Sequence, residues 1–335
     1  MKNIFEKLYS NESLNYEEAR TALLEISSGD QNEIIISSFL TSFILRPPTV
    51  IEIEGFRDAL LELCLDVNLD FNETIDLCGT GGDGKNTFNI STVSSFVVAG
   101  AGYKVTKHGN YGVSSGCGSS NVLEHLGINF TNNSDHLNKS LDKSNICFLH
   151  APLFHPAMKH VANTRKNLGV KTFFNILGPL VNPTKPKNQI CGVYNLETLR
   201  LYSDVFRNTE KNFTIIFSLD GYDEISLTSK HKIIDNKSEQ IIDSNYFGFN
   251  DLNPKEIEGG SSVDESAKIF VDILENKSSK AHKNVVLANS ALAIKTITGK
   301  KIEECIEIAN DSLICLLYTS PSPRDLSTSR MPSSA

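Results

Sequence analysis

An α/β protein is what this sequence implies, with a small helical domain over residues 1–70 and a large domain over 71–315 built on a mainly parallel central sheet. Three observations lead there. The first part of the chain carries helical periodicity alone. From Thr74 onward, short apolar runs alternate with helical stretches, the order of elements that builds parallel sheets. Finally, the strand-like run Thr74-Ile75-Asp76-Leu77-Cys78 passes through Gly79-Thr80-Gly81-Gly82-Asp83-Gly84 into a helix over 91–98, which places a glycine-rich turn at a helix N-terminus.

Asn15 stands three residues before Glu18, a capping-box pattern, and Ala19, Ala22, Leu23 and Ile26 recur on one helical face before Gly29 closes the helix. A second helix over 32–45 is apolar nearly all round, with Ile34, Ile35, Ile36, Phe39, Leu40, Phe43, Ile44 and Leu45. Such a helix is buried on more than one side, which points to a partner subunit. Pro47-Pro48 ends it, and a third helix covers 50–65. Strands follow at 74–78, 103–106, 146–149, 189–193 and 213–218. Helices at 91–98, 121–126, 136–141, 157–168 and 197–207 lie between them, and helices over 263–274, 285–297 and 302–313 pack on the sheet. A hinge or helical segment near 166–184 joins the two domains. Residues 316–335, dense in Ser and Pro without a hydrophobic period, read as a disordered tail. They resemble translated sequencing-adaptor sequence, so the expectation is a non-native ending.

The bulk properties narrow the function. A length of 335 residues leaves ample core to bury, and a net charge of −8 speaks against general attraction to nucleic acid or an anionic membrane. No apolar run has the length of a bilayer span, and the N-terminus lacks the basic-then-apolar order of a signal peptide. Seven cysteines without C-x-x-C pairs suit reduced thiols rather than a disulfide framework. The expectation is a soluble cytoplasmic protein with no nucleic-acid or membrane partner.

The first glycine loop carries the strongest chemical signal. Glycine tolerates positive φ, so successive N–H groups can turn toward one anion at the positive end of the following helix. The loop is neither G-x-x-x-x-G-K-[ST] nor G-x-G-x-x-G, which argues against a P-loop or a Rossmann site. A second cluster, from Lys107-His108-Gly109-Asn110 through Ser114-Ser115-Gly116-Cys117-Gly118-Ser119-Ser120, again follows a strand and opens a helix. Two such loops point to a ligand with two phosphate groups, or to one diphosphate held from both sides. Lys107 in a contact pair brings only about 4 kcal/mol before desolvation. That is too little for several phosphate charges and calls for a divalent cation. Asp223 and Glu224, in the turn Asp220-Gly221-Tyr222-Asp223-Glu224, suit Mg²⁺, with a merely solvated turn as the plain alternative. Zinc-ligand spacing is absent. His155, His160 and Arg165 are candidates for a partly apolar pocket with one anion clamp, fit for an aromatic acid. Packing around the prolines is the alternative for the histidines, and a surface charge the alternative for Arg165. Phe173-Phe174-Asn175-Ile176-Leu177-Gly178-Pro179-Leu180 reads as a hinge or pocket wall.

Together, GTGGDG, NIST, KHGN, GSSNVLE, HPAMKHV-x3-R, NILGPLVNP and the Asp223-Glu224 pair make the sequence resemble the anthranilate phosphoribosyltransferase family, from the N-terminal helices to about Leu313. The resemblance implies a fold of the nucleoside phosphorylase/phosphoribosyltransferase type, with the cleft between the two domains and a homodimer formed through the helical domain. It implies transfer of the phosphoribosyl group from phosphoribosyl diphosphate to the amine of anthranilate, with release of diphosphate, in tryptophan biosynthesis. Position by position, it assigns Gly79, Gly82, Asp83, Thr87, Asn89, Ile90, Ser91, Thr92, Lys107, His108, Gly109, Asn110, Tyr111, Gly112, Val113, Ser114, Ser115 and Ser119 to phosphoribosyl diphosphate. Gly79, Asn110 and Arg165 go to anthranilate, with His155 and Pro179 shaping that pocket. Ser91, Asp223 and Glu224 go to Mg²⁺, two ions per subunit. No obligatory acid or base is implied. Tyr111-Gly112 stands where many members have Arg-Ala, and Cys117 where Ser is usual. A pyrimidine nucleoside phosphorylase on the same fold is the second reading. A non-catalytic nucleic-acid-binding relative is a third, and it would want a basic surface and degraded motifs, neither of which this acidic chain has.

Overall fold

The computed structural model describes residues 1–112 and 117–319. Four helices come first: α1 (Lys2–Tyr9), α2 (Tyr16–Ser27), α3 (Glu33–Leu45) and α4 (Val50–Leu63). Their starts are locally determined. The Asn15 side chain accepts from the Glu18 N–H while the Glu18 carboxylate accepts from the Asn15 N–H, and Thr49 with Glu52 repeats this at α4. The buried Glu52 also takes the Arg46 guanidinium and the Leu14 N–H, so one carboxylate closes the α3–α4 turn onto the segment before α2. Phe39, Phe43 and Phe56 meet Phe173 with ring centroids 4.5 to 6.0 Å apart, which anchors the chain near residue 173 to this helical unit.

The large unit runs β1 (Thr74–Gly79), α5 (Ile90–Gly100), β2 (Lys104–Gly109), α6 (Ser119–His125), α7 (Ser134–Ser144), β3 (Ile146–His150), α8 (Ala151–Phe154), α9 (Lys159–Leu168), α10 (Phe174–Leu177), β4 (Asn188–Gly192), α11 (Leu196–Arg207) and β5 (Asn212–Ser218). It ends with β6 (His231–Asp235), β7 (Glu239–Ile242), α12 (Val263–Leu274), α13 (Lys280–Thr298) and α14 (Ile302–Thr319). The strands stand in the order β3-β2-β1-β4-β5-β6-β7, with the first five parallel and the last two joined antiparallel. Side chains alternate across the sheet. Ile190, Ile216 and Ile233 enter the core that contains α5 and α12 to α14, while Cys191, Ile215 and Ile234 enter the one that contains α11 and the N-terminal helices. Strands β2 and β3 extend to one side of β1 and β4 and β5 to the other. The carboxyl ends of β1 and β4 therefore flank a switch point, where open α/β sheets bind ligands.

Several sequence expectations need correction. Strand β2 runs on through Gly109, because Lys107 and His108 find buried partners inside the sheet rather than opening a loop. The helix expected over 157–168 is α9 from Lys159 on, preceded by a 3-10 turn at Pro156–Met158, and the short α8 ahead of it was not singled out; Pro156 has no N–H to donate, so the α-helix starts late. Helix α1 and the hairpin β6–β7 were not singled out. In the hairpin, Lys232, Asp235, Glu239 and Gln240 dilute the apolar signal, as is usual at a sheet edge. The tail expected over 316–335 starts too early, because 316–319 belong to α14. Leu316-Leu317-Tyr318 continue an apolar run, and the first stop signal is Pro321. Residues 320–335 lie outside the described residues.

Candidate active site

A cavity of about 770 Å³ opens at the carboxyl ends of β1, β2 and β4, a volume typical of small-molecule sites. Of the residues expected at a site, Gly79, Gly82, Asp83, Thr87, Asn89, Ile90, Ser91, Thr92, Lys107, His108, Gly109, Asn110, Tyr111, Gly112 and Ser119 line it. So do His155, Arg165, Pro179, Asp223 and Glu224. Val113, Ser114 and Ser115 lie outside the described residues. His160 does not join them and packs against Gly29 instead. It stands five residues from Arg165, roughly 140° around α9, so the two cannot share a face.

The first glycine loop is fixed by partners far away in sequence. Gly81, Gly82 and Gly84 adopt φ of +63°, +76° and +72°, the left-handed region that glycine enters without penalty. The Gly81 N–H donates to Asp223 Oδ2 at 2.7 Å, and the Thr80 N–H donates to the Gly192 carbonyl at 2.9 Å. Gly192 lies so close to the acidic turn that a Cβ there would fall 1.3 Å from the Asp223 carbonyl oxygen. In the first turn of α5, the Ser91 N–H donates to Glu224 Oε1 at 2.9 Å. The Lys107 ammonium donates to the Leu77 carbonyl at 2.6 Å and reaches Ser91 Oγ at 3.5 Å. Behind it the buried Asp76 accepts from the His108 N–H and from the Asn182 amide.

Crowded carboxylates dominate the electrostatics. Burial, with the Asp83 charge beside it, pushes Asp223 up to about 6. Burial and then Asp223 push Glu224 well above its ordinary range, and burial raises Asp83. Among the described residues no three His, Cys, Asp or Glu side chains form a closed metal cage. Mg²⁺ does not require one, since it takes one or two carboxylates and completes its shell with water and phosphate oxygens. Repelling carboxylates at the edge of an open cavity fit that ion.

The opposite wall is aromatic and cationic. The Arg165 guanidinium lies 5.0 Å over the Phe174 ring, and burial lowers its pKa. His108 Nδ1 faces the Gly178 carbonyl at 3.3 Å and His155 Nε2 the Val181 carbonyl at 3.0 Å. A carbonyl only accepts, so those nitrogens carry the hydrogens. Burial holds both rings neutral, at about 3 for His108 and about 4 for His155. His108 Nε2 and His155 Nδ1 are thus lone pairs without a protein partner, on rings whose centroids are 5.4 Å apart.

Known proteins share this architecture. The pattern of the glycosyl transferase family α/β domain matches residues 72–314, and that of its helical bundle domain matches residues 2–64. Anthranilate phosphoribosyltransferase of Flavobacterium johnsoniae is 56% identical over 313 residues, which cover 93% of this chain and 95% of that one. The chain belongs to the anthranilate phosphoribosyltransferase family. Two solved anthranilate phosphoribosyltransferases agree in fold. The one from Thermus thermophilus matches with a TM-score of 0.88 at 26% identity, over 97% of this chain and 98% of its own. The one from Saccharomyces cerevisiae, solved in complex with PRPP and Mg, matches with a TM-score of 0.87 at 29% identity, over 96% and 94%.

In the second loop, Tyr111, Gly112 and Cys117, where the resemblance led to an expected departure, are accommodated locally. The Tyr111 hydroxyl donates to Glu124 at 3.3 Å, the Gly112 N–H donates to Asn121 at 3.0 Å, and Asn89 reaches Cys117 through its carbonyl rather than its thiol. Phe174 lines the cavity as the pocket-wall reading expected, whereas sequence reasoning missed Lys85, Lys171 and Tyr194. None sits in a glycine or acidic motif, and only the fold brings them together.

Proposed function

We propose that this chain transfers the 5-phosphoribosyl group of phosphoribosyl diphosphate to the amine of anthranilate and releases diphosphate, a step of tryptophan biosynthesis. The observation that carries the proposal is the meeting of Ser91, Glu224 and Lys107 between two glycine clusters, in the cavity that Arg165 also lines. In this reading Gly79, Gly82, Asp83, Thr87, Asn89, Ile90, Ser91 and Thr92 hold the sugar donor from one side. Residues 107–112 and Ser119 hold it from the other, and Val113, Ser114 and Ser115 continue that loop. Two Mg²⁺ ions per subunit, held by Ser91, Asp223 and Glu224, would neutralise the charge on the departing diphosphate. Arg165 clamps the anthranilate carboxylate, and Gly79 and Asn110 border its amine.

The rest of the chemistry is positioning. An aromatic amine is neutral near pH 7, so its lone pair attacks C1 as the C1–O bond breaks; the diphosphate leaves with the electron pair and takes up the proton that the nitrogen sheds. Phe174, Leu177 and Pro179 line the cavity and keep water from the activated sugar. We further propose a cytoplasmic homodimer joined through the helical unit. Ile34 and Leu45 of α3 are 76% and 82% exposed there, and Cys147, Cys191 and Cys305 are buried thiols suited to a reducing compartment. Among the described residues no helix is long and apolar enough to cross a membrane.

Anthranilate fluorescence tests the reading. It should fall only when chain, phosphoribosyl diphosphate and Mg²⁺ are all present, and chelation should stop the decay. Arg165→Ala should raise the KM for anthranilate by about 10-fold or more, the loss of a charged hydrogen bond, with little change for the sugar donor. Equal effects on both substrates would overturn the assignment of Arg165.

A further inference from the structure

Lys171 stands between the two halves of the site, and none of the roles above uses it. We propose that Lys171 is a positioning residue for the phosphoribosyl donor. Its ammonium holds the first glycine loop in its anion-binding shape, offers a spare N–H to the diphosphate, and ties that loop to the segment that carries the acceptor clamp. The inference rests on the transferase reading and extends it to a residue outside the glycine and acidic motifs.

The geometry is specific. Lys171 Nζ donates to the Gly82 carbonyl and lies 4.5 Å over the Tyr194 ring. An ammonium has three donors. The carbonyl takes one and the aromatic face a second, which leaves one for a ligand in the cavity that Gly82, Lys171 and Tyr194 all line. The Gly81-Gly82 pair is then held from both ends, because Asp223 accepts the Gly81 N–H at 2.7 Å. In a trans peptide the carbonyl and the following N–H point in opposite directions. Drawing the Gly82 oxygen to Lys171 therefore turns the Asp83 N–H away from it. The approach uses the bare Cα of Gly82, where a Cβ would lie 3.1 Å from Nζ and 3.3 Å from Cε.

The base of the lysine is anchored. Gly169, at φ +65°, closes α9 directly after the turn that bears Arg165. The Thr172 N–H donates to Asn175 Oδ1 at 3.0 Å, and Phe173 stacks 4.5 Å from Phe56 in the helical unit. A short segment pinned to the helical unit thus runs from Arg165 to Lys171, and the ammonium reaches from it to the loop that follows β1. Lys107 does not take over the shaping of the loop, since its ammonium donates to the Leu77 carbonyl of β1 and reaches Ser91 of α5 rather than a carbonyl of the glycine loop.

The full chain and its Lys171→Ala, Lys171→Arg and Tyr194→Leu variants should be titrated calorimetrically with phosphoribosyl diphosphate plus Mg²⁺, and assayed on both substrates. Lys171→Ala should weaken donor binding and raise the donor KM about 10-fold, as loss of a charge-assisted hydrogen bond does, and leave the KM for anthranilate unchanged. Lys171→Arg should restore most of the loss, and Tyr194→Leu should fall between parent and Lys171→Ala. An unchanged donor Kd in Lys171→Ala, a defect that arginine does not repair, or equal rises in both KM values would overturn the proposal. If the parent binds the donor yet consumes no anthranilate, the transferase reading falls and calorimetry alone decides Lys171. If the parent binds no donor, both fall.

Discussion

His108, His155 and His231 are neutral because burial pushes their pKa values down, to about 3, 4 and 4. In the unfolded chain a histidine titrates near 6.5. Between that pH and the folded values the unfolded state binds more protons, so each of these residues makes the fold less stable as pH falls. Asp223 works the other way: its folded pKa of about 6 lies above its unfolded value of 3.8, and protonation on acidification relieves its repulsion. The net curve mixes both signs, so the useful measurement is a difference. His231 lies away from the cavity, accepts the Ser226 N–H at Nε2 and leaves Nδ1 without a partner. His231→Gln keeps an acceptor and removes the titration. Between pH 7 and pH 5 its stability relative to the parent should improve by roughly 2 kcal/mol, read from denaturant unfolding at each pH. Parallel curves for the two proteins would show that His231 does not carry the effect.

Helix starts were legible because they are settled within a few residues. Asn15 with Glu18, Asn32 with Ile35 and Ser262 with Glu265 all satisfy N–H groups within their own first turn. Strand limits were less so, because distant partners decide them. Nothing near Lys107 announces that the Leu77 carbonyl will take its ammonium, and β2 consequently outran its apolar run. The close contact between β4 and the acidic turn is another case, since Gly192 carries no local sign of its role. With a Cβ 1.3 Å from the Asp223 carbonyl oxygen, Gly192→Ala must displace the turn that holds Asp223 and Glu224. A misplacement of about 1 Å costs on the order of 100-fold in rate. The variant should therefore remain helical by circular dichroism while kcat falls by about that factor and Mg²⁺ no longer raises its melting temperature. Full activity would mean that the turn moves freely with β4.

The site spans residues from Leu60 to Glu224, and its motifs were readable because each glycine or acidic cluster had to sit at a strand end. Lys171 and Tyr194 were not, since they stand far from either motif in sequence and meet only when the segment after α9 folds back over the end of β4. The docking of the helical unit leaves one surface unexplained. Helix α3 buries Ile36, Phe39, Leu40 and Phe43, yet Ile34 and Leu45 remain 76% and 82% exposed. Eleven residues apart, they fall roughly 20° from each other around the helix and so share one face. Tyr9 of α1 and Ile51 of α4 are exposed as well. Apolar side chains left on the unit farthest from the chemistry are what an isologous contact between two copies would cover. Ile34→Glu with Leu45→Glu places two carboxylates on each copy at that contact, where like charges face each other. Light scattering should then report a monomer in place of a dimer. The cavity takes only Leu60 from α1 to α4, so turnover per chain should survive the change. An unaltered mass would remove this face from the assembly. A monomer without activity would instead show that the contact between copies holds the helical unit in place over the cavity.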